Sequence, residues 1–118
     1  MSKNRVPFAV KIAKTVLNHQ LVLKKEYDPK IVFEEDMWSA IANEIDDLKP
    51  ETLGRIIAYG GAHGHNKTHT SVYDGVDSKF NYPRANGTVQ LKMLAMSVIR
   101  AAMMDIIKEN NARLTKAA

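Results

Sequence analysis

The sequence predicts a mainly α protein, about four helices with one β-hairpin inserted before a long, largely buried C-terminal helix. Three observations predict it. Apolar residues recur at helical spacing in four separate stretches. An Asp74-Gly75 pair lies between two runs of β-favouring residues. The last helical stretch is apolar on more than one side, which a surface helix is not.

The first helix is expected over about 5–24. Asn4 suits its N-cap, and Ala9, Ile12, Ala13, Val16, Leu17 and Leu21 follow at helical spacing, with Lys11, Lys14, Thr15 and Asn18 on the other side. Asp28-Pro29 is a turn signal, and Ile31-Val32-Phe33 reads as a short extended piece. A second helix, about 34–48, sets Met37, Trp38, Ile41, Ile45 and Leu48 on one face. Its Glu34, Glu35 and Asp36 sit in the first turn, where the helix dipole favours anions. Pro50 suits the start of a third helix, about 51–59, with Leu53, Ile56 and Ile57 inward and Gly60-Gly61 as its end.

The fourth helix is expected over about 88–113, with Asn86 or Thr88 as its cap. Val89, Leu91, Leu94, Met96, Val98, Ile99, Met103, Met104, Ile106 and Ile107 do not fit on one stripe about 100° wide. Such a helix is either central in the monomer or shared with another subunit. Because four helices of this size would struggle to cover it, a homo-oligomer, at least a dimer, is expected. Between the third and fourth helices, Thr68–Tyr73 and Val76–Tyr82 flank the Asp-Gly turn, so a hairpin is expected over about 68–82. The whole of 1–118 is read as one domain.

Composition excludes several function classes. No run of about 18 apolar residues exists, so no membrane span is expected. Lys11 and Lys14 interrupt the apolar run of the first helix and no small-residue cleavage site follows, which argues against a secretory signal. With no cysteine there is no disulfide, thiolate metal site or cysteine nucleophile, and a cytoplasmic location is expected. The Met-, Lys- and Asn-rich make-up resembles that of small phage or mobile-element proteins. The net charge of +4 is segregated into blocks of +6 over 1–25, −7 over 26–51 and +5 over 52–118. Such blocks would let a subunit or partner dock electrostatically. The plainer reading, preferred here, is an acidic helix lying between basic ones and neutralising them.

Residues 59–87 are the functional candidate, because they hold five of the six glycines, three of the four histidines and half of the eight aromatics. A compact domain rarely keeps a connection this long unless it binds something, caps something or carries structure of its own. One reading is phosphate capture. Gly60, Gly61 and Gly64 would let backbone amides turn inward on an anion. Lys67 and Arg84 would neutralise it, with His63, His65, Thr68 and Lys79 adding donors and Tyr82 stacking a base. No Walker pattern or GxGxxG supports this, so the match is to a composition. A second reading is metal binding. His63, His65 and His69 would supply three ligands of a zinc site whose bound water would serve hydrolysis. A third is structural, with the glycines and histidines satisfying turns and the aromatics pinning the hairpin.

The preferred expectation is a small non-enzymatic binding protein that captures nucleic acid or a nucleotide through Gly61, His63, Gly64, His65, Lys67, Thr68, Lys79, Tyr82 and Arg84, with no cofactor. The alternatives are a metal-dependent hydrolase or nuclease using the three histidines with zinc, and an inhibitor of a host protein acting through the charge blocks and Trp38.

Overall fold

In a computed structural model of the chain, residues 6–62 and 87–117 are described. Helix α1 spans Phe8–Gln20, a 3-10 turn Pro29–Phe33, α2 Glu35–Ile45, α3 Pro50–Ala62 and α4 Gly87–Ala117. The described residues are thus helical and contain no strand. The expected hairpin over 68–82 and the caps at Asn4 and Asn86 lie outside them.

Helix α1 starts later than periodicity suggested. A residue before proline is pushed out of the helical region, so Val6 cannot be helical and Pro7 becomes the boundary. The Pro7 carbonyl accepts from the Lys11 amide at 3.0 Å, with no side-chain cap. The helix also ends earlier, at Gln20 rather than near residue 24, because Leu21 turns extended (φ −132°, ψ 157°). Its buried stripe is nonetheless the expected one: Ala9, Ile12, Ala13, Val16 and Leu17.

The expectation of an extended Ile31-Val32-Phe33 is corrected: these residues close a 3-10 helix. Asp28-Pro29 initiates it rather than merely turning the chain. The Asp28 carboxylate accepts from the Lys30 amide at 3.0 Å, and Pro29 presets φ at the first position. Helix α2 then buries Met37, Ile41 and Ile45 and ends three residues early, leaving Leu48 in the connection. Asp46 and Asp47 explain this end, since a helix C-terminus already carries partial negative charge. Lys92 answers that charge, donating to the Asp46 carbonyl at 3.1 Å and lying 3.5 Å from its carboxylate.

Gly60-Gly61 does not end α3, which continues to Ala62 with Gly60 buried. Glycine inside a helix costs only about 1 kcal/mol relative to alanine, and the burial of Leu53, Ile56 and Ile57 on the same helix outweighs it.

Helix α4 is the centre of the fold. It packs against α1, α2, α3 and the 3-10 turn, burying Ala95, Met96, Val98, Ile99, Ala102, Met103 and Ile107. Of the two explanations for its all-round apolarity, central placement within one chain accounts for these residues. Met93 alone among its described large apolar side chains is more than half exposed. The helix also runs four residues past the expected end at Arg113.

Two pairs of contacts set the directions of its neighbours. Trp38 meets Arg100 and Asp46 meets Lys92, so α2 runs antiparallel to α4. Helix α3 leaves the Asp46 level and brings Tyr59 within electrostatic reach of Asp105, so α3 advances in the same sense as α4. Ala62, three residues past Tyr59, therefore ends α3 at a level roughly 31 Å along the α4 axis from Gly87, at 1.5 Å of rise per residue.

Candidate functional site

Only one residue of the expected ligand-binding set is described. Gly61 lies exposed in the last turn of α3. His63, Gly64, His65, Lys67, Thr68, Lys79, Tyr82 and Arg84, and the proposed third metal ligand His69, lie outside the described residues. Among the described residues, no three His, Asp or Glu side chains are grouped so as to hold a metal ion. The parallel sense of α3 and α4 does bear on the connection between them. An extended chain would cover about 31 Å in some nine residues. Residues 63–86 are about three times that number, more than the topology requires.

A concavity among the described residues lies elsewhere, between α1 and the C-terminal part of α4. It is a groove of about 370 Å³ lined by Lys14, Asn18, Leu23, Ile106, Glu109, Asn110 and Arg113. Lys14 and Asn18 come from the α1 face opposite the buried stripe, where 3.6-residue periodicity must put them. Leu23 and Ile106 give the groove an apolar floor and the charged side chains form its rim. Neither Lys14 nor Arg113 has a carboxylate at ion-pair distance among the described residues.

The groove wall is held by amide side chains. Asn110 is the one buried polar residue among those described, 5% exposed. Its Nδ2 donates to the Lys25 carbonyl at 3.1 Å and its Oδ1 accepts from Arg113 Nη2 at 2.6 Å. Its neighbour Asn111 clasps Tyr27, accepting from the amide at 3.1 Å and donating to the carbonyl at 2.7 Å. Thr115 Oγ1 donates to Glu26 at 3.2 Å, and the Tyr27 hydroxyl accepts from the Val22 amide at 3.0 Å. Together these bonds fix the irregular stretch 21–28 on α4, so the groove is preformed and Arg113 is oriented through Asn110.

A second feature lies near the middle of α4. The Arg100 guanidinium lies 4.2 Å from the Trp38 ring centroid and 4.6 Å from that of Phe33, stacked by both. Burial holds its pKa below the usual arginine value. Phe33 is 56% exposed, and Glu34, Glu35 and Asp36 beside it are exposed too. Trp38 is half-buried and carries a cation on its face. A smaller concavity of about 200 Å³ between α1 and α2 takes in the exposed His19.

Periodicity alone missed the groove. It separated Lys14 and Asn18 from the buried stripe of α1, but nothing local says which helix stands across from them. Asn110 and Asn111 gave no signal, because amides on a long helix read as solvent-facing until the chain they clasp is seen. Comparison with protein-family models, curated proteins and solved structures finds no match to this chain.

Proposed function

We propose that this chain is a small non-enzymatic binding protein that captures a phosphate-bearing ligand, a nucleic acid or a nucleotide. The observation that carries this reading is the preformed groove in which Lys14 and Arg113 stand with Asn18 and Asn110, and in which the one lining carboxylate, Glu109, is not at ion-pair distance from either cation. Two cations and an amide donor over an apolar floor are a set that a phosphate satisfies. The Gly61–Arg84 segment contributes in this reading as a second binding element, with His63, Gly64, His65, Lys67 and Thr68 following α3 and the expected hairpin carrying Lys79 and Tyr82. Assembly as a homo-oligomer and a phage or mobile-element origin belong to the same proposal.

The test is equilibrium binding of a nucleoside triphosphate and of a short oligonucleotide at low salt. Lys14→Ala and Lys67→Ala should each weaken at least one of them by about tenfold, the loss of one charge-assisted contact. Absence of binding to either ligand would sink the proposal.

A second reading has its own observation. The exposed Phe33 and the half-buried Trp38, stacked on Arg100 and flanked by Glu34, Glu35 and Asp36, have the residue types of an interface hot spot. It favours a basic protein partner. Charge reversal at Glu34 and Glu35 should then abolish function while Lys14→Ala leaves it unchanged.

A further inference from the structure

Lys14 and Arg113 line the groove, and further cations stand beside them on the same elements. On α1, Lys11, Lys14 and Asn18 follow at steps of three and four residues and so share one face. On α4, Glu109, Arg113 and Lys116 do the same. Lys24 and Lys25 follow the groove residue Leu23, on a stretch whose backbone Asn110 and Asn111 hold in place. All six cations are exposed, and none has a carboxylate within ion-pair distance among the described residues. Three acids stand among them. Glu109 lines the groove, Glu26 accepts from Thr115, and Asp28 is turned to the Lys30 amide. Six positive charges against three negative leave this face basic. The exposed acids of α2 stand on a different element, one that contributes nothing to the groove.

We infer that this face takes the sugar-phosphate backbone of double-stranded DNA, without reading its sequence. The inference rests on the phosphate-binding reading and narrows it. A single nucleotide is held by donors that converge on one cluster of phosphates. Here the cations sit two to a helix, three residues or about 4.5 Å of rise apart along each, spread along the face rather than converging on one point. No aromatic side chain lines the groove among the described residues, so nothing there stacks an unpaired base, which single-strand binders depend on. Leu23 and Ile106 offer no hydrogen bonds to base edges, and the Asn110 amide is already bonded to the Lys25 carbonyl and to Arg113, so the contact is chiefly with backbone. The negative α2 surface would be repelled by DNA, which orients the molecule with α1 and the end of α4 toward the duplex.

Fluorescence anisotropy over a salt series decides this, with two 20-base-pair duplexes of unrelated sequence, one of their single strands, and a nucleoside triphosphate. The expected result is equal affinity for both duplexes, weaker binding of the strand, and a fall of about 10²-fold between 50 and 200 mM salt if four phosphates are engaged. Lys14→Ala/Arg113→Ala should flatten the log–log salt slope by about two. Lys11→Ala/Lys14→Ala, which touches only exposed side chains, should do the same with the thermal midpoint unchanged. Binding of the nucleotide but not the duplex would overturn this inference and leave the proposed function standing. Duplex binding with an unaltered slope in both variants would place the contact elsewhere and overturn it too. Failure of every ligand would remove both.

Discussion

The two halves of α4 hold their neighbours by different means. Around residues 95–103 the helix meets other helices, and what joins them is apolar burial, Ala95, Val98, Ile99 and Met103, with the Arg100 stack laid across the edge. Around residues 110–115 it meets irregular chain, and what joins them is directional: Asn110, Asn111 and Thr115 reach for Lys25, Tyr27 and Glu26. The difference follows from backbone accounting. A helix satisfies its own amides and carbonyls, so a neighbour need only exclude water from an apolar face. An irregular stretch leaves those groups unpaired, and any element it packs against must supply partners. The first kind of seam tolerates shape-conserving change, whereas the second fails when one atom is removed.

The largest effect that would break this comparison belongs to the apolar seam. Ile99→Ala deletes a fully buried side chain and should destabilise by about 2–5 kcal/mol in denaturant unfolding, with loss below about 1 kcal/mol showing that the seam is not core. Asn111→Ala removes a donor and an acceptor at once and should cost about 1–3 kcal/mol. Its signature is local, since hydrogen exchange at the Tyr27 amide should accelerate far more than at Ile99. Equal acceleration at both would mean that the clasp and the core open as one unit. Arg100→Ala takes away two cation–ring contacts, worth about 1 kcal/mol together at a partly exposed site. Arg100→Lys should recover part of this, and a neutral outcome for both would reduce the stack to surface decoration.

The smallest effect is one of pH. Burial, and then the Asp105 charge, raise the Tyr59 pKa above the ordinary tyrosine value. The folded state therefore holds this proton more tightly than the unfolded chain does. Its contribution is complete below the unfolded tyrosine pKa of about 10 and is lost as pH rises through the folded value. Tyr59→Phe should flatten that alkaline limb, whereas an unchanged limb would show that α3 and α4 do not bring the two groups together.

What the sequence made legible divides along the same line. The buried faces of α1, α2 and α3 were readable because Ile12, Val16, Ile41, Ile45, Leu53 and Ile56 repeat at helical spacing, and spacing is local information. The central position of α4 was readable as one of two alternatives, from its excess of apolar residues. The ends were less so. Pro7 displaced one helix start, Asp46-Asp47 shortened another helix, and Gly60-Gly61 did not stop a third, since packing outweighs a propensity of about 1 kcal/mol. The groove was hidden because its two rims, Lys14 and Arg113, are joined only by tertiary structure. The Gly- and His-rich connection stood out by composition, and its length relative to the gap it spans still marks it.

That the core is organised around α4 has a consequence in time. Synthesis delivers this helix after α1, α2 and α3, so every apolar face of theirs that rests on it must wait. At about 5–20 residues per second, the ribosome needs roughly 2–6 s to make the 31 residues from Gly87 onward. Throughout that interval the emerging chain presents Leu17, Ile41 and Ile56 with no lasting cover. A chain halted after Ala62 should therefore behave as a chaperone client rather than as a smaller folded protein, and the transition to native structure should fall late, once Ile107 has cleared the exit tunnel.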